Sequence, residues 1–153
     1  MVMIKEDSFI IKDMREEDLN EVLEIEKASF SDPWTYDMFC AELFNPLSHL
    51  WAARDVSEKL IGYLCFWLVE DEAHLLNLAV HQLSRRRGVA SGLLAVCLDC
   101  WRKSGIKNVY LEVRESNKAA CRLYEKFGFS IMMRRPGYYK NPVEDAYVMA
   151  LEI

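Results

Sequence analysis

The chain reads as an α/β protein, a mixed sheet with helices on both faces. Two observations predict that class. Segments of period two and of period 3.6 follow one another in the order β-α-α-β-β-β-α-β-α-β-β, an order that packs as one helix-covered sheet. The chain has 153 residues, 52% hydrophobic and 28% charged, which suits a single domain over 1–153 with a substantial core.

Ser8–Met14 (SFIIKDM) is the first expected strand. Glu16–Phe30 follows as a helix, with Leu19, Val22, Leu23 and Glu26 on one side and acidic residues in its first turn, where they favour the helix dipole. Ser31-Asp32-Pro33-Trp34 breaks it, because the residue before a proline avoids the helical region. Thr35 can cap a second helix, Tyr36–Phe44, which Asn45-Pro46 ends. His49–Arg54 and Leu60–Val69 read as an antiparallel pair around the polar turn Asp55–Lys59, and Ala73–Val80 as the next strand.

Val89, Leu93, Leu94, Cys97, Leu98 and Trp101 recur at helical spacing, and Gly105 sits where a C-terminal cap is expected. Val109, Leu111 and Val113 alternate with Tyr110, Glu112 and Arg114 as a strand. Asn117–Phe127 is helical, with Ala120, Leu123, Tyr124 and Phe127 on one face, and Gly128 stops it. Phe129–Met133 and Ala146–Leu151 are the last two expected strands, around a loop RPGYYKNPVE.

Composition narrows the function. A net charge of −5 argues against general nucleic-acid binding, which rests on many phosphate-neutralising cations. The start, MVMIKEDSF, carries charges where a signal peptide needs an apolar core, and the longest apolar run, Leu60–Val69, is too short to cross a bilayer as a helix. Cys40, Cys65, Cys97, Cys100 and Cys121 have no framework spacing, and Cys97-x-x-Cys100 lacks a second ligand pair for zinc. These are expected to be core-filling thiols in a reducing cytoplasm. His49, His74 and His81 lack metal-ligand spacing and assemble no catalytic triad.

Leu75–Ser91 (LLNLAVHQLSRRRGVAS) carries the first chemistry. A strand ends at Val80, a polar loop follows, and Arg85-Arg86-Arg87-Gly88-Val89-Ala90 opens a helix. Free N–H groups at a helix start favour an anion, and Gly88, without a Cβ, lets a phosphate approach the backbone. An exposed basic turn is the plainer reading of those six residues.

Leu78-Ala79-Val80 followed by Arg85-x-x-Gly88-x-Ala90 resembles the acetyl-CoA signature of the GNAT N-acetyltransferases, Q/R-x-x-G-x-G/A ahead of a helix. Leu111-Glu112-Val113-Arg114-x-Ser116-Asn117-x-x-Ala120, then Leu123-Tyr124-x-x-x-Gly128-Phe129, is similar to the RimI branch of that family, the alanine N-acetyltransferases of ribosomal protein. So are Phe30-Ser-Asp-Pro-Trp34, Arg134-Arg135-Pro-Gly-Tyr138-Tyr139 and Glu144-Asp145-Ala146, and the ordered set spans nearly the whole chain. One departure is His81-Gln82, where family members often have an acidic residue and a proline.

The resemblance implies a GNAT fold, with a central, mostly antiparallel sheet of about seven strands. It implies acetyl-CoA as co-substrate, without a metal. The coenzyme is expected on Leu78, Ala79, Val80, Arg85, Arg86, Arg87, Gly88, Val89, Ala90, Ser91 and Asn117. Glu112 and Tyr124 fall on the catalytic positions, Glu112 taking the amine proton and Tyr124 protonating the departing thiolate. Read without the family, Glu112 is an outward strand residue, Tyr124 packs in the core, and Asn117 is a helix N-cap. Pro33, Trp34, Tyr138 and Tyr139 are candidate walls of a groove for a peptide N-terminus, or packing residues, and Arg134 and Arg135 a solvated strand end. The expected partner is a protein substrate's N-terminus, most simply an alanine of a small-subunit ribosomal protein, with no nucleic acid and no membrane, and the chain a monomer or weak dimer in the cytoplasm. Another amine substrate, or a non-catalytic acyl-CoA-binding module, stays open.

Overall fold

Successive residues of this chain's strands face opposite sides of one sheet, and each side carries an apolar core. A computed structural model describes residues 2–4 and 9–153, with side chains from residue 9 onward. The described strands are β1 (Val2–Ile4), β2 (Phe9–Asp13), β3 (Ser48–Arg54), β4 (Leu60–Val69), β5 (Glu72–Val80), β6 (Asn108–Arg114), β7 (Ser130–Lys140) and β8 (Val143–Glu152). They lie in the order β1-β2-β3-β4-β5-β6-β8-β7. Every adjacent pair is antiparallel except β5 with β6. The Ser8 start expected for the first strand lies outside the described residues. Val2–Ile4 adds an edge strand, against Ile11, Ile10 and Phe9, that the sequence pattern did not suggest.

Helices α1 (Leu19–Ser29) and α2 (Tyr36–Phe44) belong to one face, and α3 (Val89–Lys103) and α4 (Lys118–Lys126) to the other. Beneath the first pair, Leu19, Val22, Ile25 and Phe39 pack on Leu50, Ala52, Tyr63, Cys65 and Ala79. Beneath the second, Leu93, Leu94, Cys97 and Trp101 meet Leu64, Phe66, Leu75, Val109 and Leu111, with Trp101 edge-on to Phe66. A single 3₁₀ turn, Glu16–Asp18, begins the expected first helix, and Thr35 caps α2 by accepting from Met38 N. No described helix is long and apolar enough to cross a membrane.

The expected loop RPGYYKNPVE is a correction. β7 continues to Lys140 and β8 begins at Val143, so only the Asn141-Pro142 turn separates them. Pro136, which has no N–H, and Gly137, at φ +62°, fall inside a register shift between Arg135 and Tyr139. The strand absorbs both as a bulge rather than ending there.

A second bulge positions the site. Cys65 pairs with Asn77 and Phe66 with Leu75, leaving Leu76 as the extra residue of β5. Leu76 packs with the α1/α2 core and Asn77 hydrogen-bonds Glu26 of α1, so two successive residues face one side. A bulge bends its strand and sharpens the local twist. β5 accordingly pairs with β6 only from Glu72 to Leu75, opposite Asn108 to Leu111. Beyond that point the two strands part.

Candidate active site

Where β5 and β6 part, Leu76–Val80 and Glu112–Arg114 lose each other as ladder partners, so backbone polar groups on that side must bond something else. Two cavities occupy the opening. One, of about 460 Å³, runs from the end of α1 past Leu78–Val80 to the start of α3 and the inner side of α4. The other, of about 430 Å³, lies among Glu26, the Asp32–Trp34 loop, Leu75–Leu78, Glu112–Arg114 and Tyr139. They share Phe30, Leu78, Asn117, Ala120 and Tyr124 as lining residues, and so form adjoining chambers.

The first chamber ends on an anion-binding geometry. Gly88 is the N-cap of α3 at φ +76°, with no capping side chain and no acidic residue in the first turn. The opening N–H groups of that helix therefore have no side-chain acceptor, and the helix dipole adds positive potential. Arg86 stands at φ +63°, a left-handed conformation that a residue with a Cβ adopts at a cost. Left-handed residues in a tight loop turn neighbouring N–H groups into one concave nest. Leu78, Ala79, Val80, Arg85, Arg86, Gly88, Val89, Ala90, Ser91 and Asn117 all line this chamber.

The three arginines of the loop take different places. Arg85 donates from Nε to Val80 O at 3.2 Å and from a terminal nitrogen to Ser29 Oγ at 3.2 Å, so it ties the loop to the end of α1. Arg86 lines the chamber, whereas Arg87 is not among its lining residues. The His81-Gln82 departure is accommodated locally. His81 Nδ1 accepts from Leu83 N at 3.1 Å and caps a 3₁₀ turn, Gln82–Ser84.

The second chamber holds the two residues expected to do chemistry. Glu112 projects from β6 toward the α1/α2 side; its side chain is 13% exposed, so it is not the solvated outward residue that alternation alone suggests. Tyr124 reaches the junction from α4, its ring edge-on to Phe129 at 5.7 Å. Burial, reinforced by nearby Tyr139 and Cys121, pushes its phenol well above the ordinary value of 10. Asn117 is the α4 cap, its Oδ1 accepting from Ala120 N at 3.2 Å, and it also lines both chambers.

Pro33, Trp34 and Tyr139 line the second chamber, and Tyr138 does not; it stacks edge-on against Tyr139 at 5.0 Å. Arg114 clamps the far wall, donating to Glu144 Oε1 at 3.1 Å and to the carbonyls of Pro142 and Asn141, with its guanidinium 4.3 Å from the Tyr139 ring centre. Arg134 bonds Glu115 at 2.9 Å and is half-exposed, in keeping with a solvated strand end, and Arg135 lies over the Tyr138 ring.

Two features escape a reading of the sequence. Glu26, 1% exposed, lines the second chamber and accepts from Asn77 Nδ2, from Trp34 N at 3.2 Å and from the Tyr63 hydroxyl. Burial raises its carboxyl above the usual carboxylate range, against the lowering effect of those hydrogen bonds. A carboxylate on the apolar side of α1 was the available signal. The second is His74, whose Nε2 lies 2.6 Å from Glu112 Oε2; that pairing depends on the β5/β6 register, which no local pattern announces.

The split, helix-covered sheet is that of an N-acetyltransferase. The chain belongs to the acetyltransferase (GNAT) family, whose pattern matches residues 13–129. A Bacillus subtilis (strain 168) protein provisionally named a ribosomal protein bS18-alanine N-acetyltransferase is 35% identical over 144 residues, 94% of this chain and 95% of its own. The crystal structure of the ribosomal-protein-S18-alanine N-acetyltransferase from Escherichia coli superposes with a TM-score of 0.87 at 32% identity, covering 95% of this chain and 94% of that one. Arabidopsis thaliana NAA60 in complex with acetyl-CoA shares the fold, with a TM-score of 0.83 at 21% identity over 95% of this chain and 98% of that one.

Proposed function

We propose that this chain transfers acetyl from acetyl-CoA to the α-amine of an N-terminal alanine, most simply that of a small-subunit ribosomal protein, by direct transfer in a ternary complex. The observation that carries this reading is the junction of the two chambers at Tyr124, with Glu112 in the second. The names of the relatives add the substrate class. Coenzyme A is a polyanion with an amide-bearing arm; the uncapped start of α3, Arg86 and the unpaired edge of β5 match both parts. Arg85, Leu78–Val80, Gly88–Ser91 and Asn117 complete that side, and Arg87, off the lining, adds long-range attraction for the phosphates.

A peptide α-amine has a reference pKa of roughly 8, so at neutral pH much of it is a non-nucleophilic ammonium. Glu112 takes that proton, directly or through one water. The thioester supplies the acetyl group and leaves a thiolate. Backbone N–H groups of the unpaired edge of β5 stabilise the charge that develops on the carbonyl oxygen. Tyr124, kept protonated by burial, gives its proton to the sulfur, and the second proton that the nitrogen sheds as the amide forms restores the phenol. Pro33, Trp34 and Tyr139 flank the incoming peptide end, with Tyr138 backing Tyr139.

The test offers purified protein acetyl-CoA with peptides beginning in alanine, the same peptides with a blocked α-amine, and free polyamines. Acetylation of the unblocked alanine peptides supports the reading. Acetylation of polyamines alone removes the protein N-terminus as substrate. Binding of coenzyme without turnover on any amine makes the chain a binding module.

A further inference from the structure

The carboxylate assigned as base does not stand alone. Glu112 Oε2 is 2.6 Å from His74 Nε2, a distance that requires a hydrogen between them, while no described residue hydrogen-bonds Oε1. The His74 side chain is 35% exposed against 13% for Glu112. Its ring is fixed from the other side by Trp67 of β4, edge-on at 6.3 Å and 89°, and the Trp67 indole N–H donates to Glu42 Oε2 at 2.8 Å. An α2 carboxylate, an indole, an imidazole and the Glu112 carboxylate thus form a row across the α1/α2 face of three strands and a helix.

We propose that His74 is a positioning residue for acetyl transfer: its ring occupies one oxygen of Glu112 and leaves the other, Oε1, presented to the acceptor amine. This rests on the reading of Glu112 as the base. The proton balance is simple. An N–H bond of the ammonium breaks, an O–H bond forms on Oε1, and the hydrogen between His74 and Oε2 stays in place. An imidazole suits that task better than lysine or arginine. Lysine or arginine at this distance would hold a permanent cation against the carboxylate and weaken it as a base, whereas an imidazole is able to orient the group through an N–H without carrying a fixed charge. Loss of a carboxylate's partner frees its rotamer, and displacements of even 1 Å at a reacting group are costly.

The experiment measures steady-state kinetics, with coenzyme A release as the readout, for wild type, His74→Phe, His74→Gln, Glu112→Gln and the double variant His74→Phe/Glu112→Gln. Phenylalanine keeps the packing on Trp67 and removes the donor; glutamine keeps an N–H donor. His74→Phe is expected to lower kcat about 10- to 100-fold, the usual cost of losing an outer partner of a working group, with KM for acetyl-CoA unchanged. His74→Gln restores most of that loss. The double variant turns over no more slowly than Glu112→Gln alone, because His74 acts through Glu112. Wild-type kcat in His74→Phe, no recovery in His74→Gln, or a further full loss in the double variant overturns the proposal. Wild-type turnover in Glu112→Gln overturns the base assignment and this inference together. If only small amines are acetylated, the same series on that amine decides the role of His74, and the substrate assignment alone is lost.

Discussion

Ser31 Oγ donates to the carbonyl oxygen of Asn141 at 2.6 Å, joining two loops 110 positions apart in the chain. Ser31 precedes Pro33 and Trp34, and Asn141 follows Tyr139; Pro33, Trp34 and Tyr139 all line the second chamber. The contact therefore joins the two segments that carry these lining residues. The residues on either side were legible as separate motifs; their contact was not.

Removing that contact should loosen the acceptor side alone. Ser31→Ala deletes an exposed neutral hydrogen bond, worth about 1 kcal/mol, or roughly fivefold in an equilibrium. The expected result is a rise of that order in KM for an alanine-starting peptide, with KM for acetyl-CoA unchanged. Equal changes in both constants would mean that the contact serves the fold rather than the groove.

The carboxylate–phenol pair makes the sharpest kinetic statement. Glu112→Gln and Tyr124→Phe should each reduce kcat by about 10²–10⁴, the range for general acid–base groups, with coenzyme affinity by calorimetry nearly unchanged. Phenylalanine retains the ring against Phe129, so Tyr124→Phe is expected to keep its urea midpoint. Because burial raises the Tyr124 phenol, its deprotonation should not set the alkaline edge of the wild-type rate profile at or below pH 10. A loss under tenfold in both variants would remove the roles assigned to them.

At the helix start, charge and conformation can be separated. Arg86→Ala removes the charge-assisted phosphate contact proposed for it and should weaken coenzyme A binding roughly tenfold, by a factor that shrinks as salt rises. Gly88→Ala adds a Cβ that meets nothing within 4 Å but must hold φ +76°, a cost of about 1–2 kcal/mol. It should lower stability and binding together, and its binding defect should persist in high salt. Calorimetry across a salt series reads both.

Glu26 predicts an unusual pH dependence of stability. Its carboxyl is raised in the folded state, first by burial, so the folded chain holds that proton at pH values where the unfolded chain has released it. Stability from this group is full below about pH 4.5, the ordinary value, and is lost as pH rises through the higher folded value. Glu26→Gln removes the titration. It also removes acceptors used by Tyr63, Asn77 and Trp34, so the variant is less stable overall. The gap between wild type and variant should narrow as pH rises above that point; urea unfolding across the range checks it, and a widening gap would contradict the sign.

Much of the fold was legible because its elements are strongly patterned. The α3 stripe from Val89 to Trp101 and the Val109-Leu111-Val113 alternation appear in the structure where the periodicity puts them. The open start of α3 was legible for a related reason: helix starts, glycines and arginines are local signals. What the pattern missed depends on partners far along the chain. The 135–144 segment reads as a loop by its Pro-Gly pair, yet pairing with β8 keeps most of it extended. Leu76 is one apolar residue among several until Phe66 skips it. His74 acquires its Glu112 partner only when β6 lies beside it, and Glu26 its partners only when Asn77 and Tyr63 converge on it.

The short β5/β6 ladder has a consequence for how this protein tolerates change over time. Beyond Leu75 the cleft edge consists of main-chain groups, which every residue but proline supplies alike. A guest that bonds to such an edge is held by something point mutation barely reaches. Side chains around it can drift as long as Leu76 keeps its bulge and α3 keeps its open start. Sequence divergence to a third identity, as between this chain and its bacterial relatives, then costs the architecture little. The lasting inheritance is a gap of fixed shape, and the residues lining its far side are free to specialise in what enters opposite.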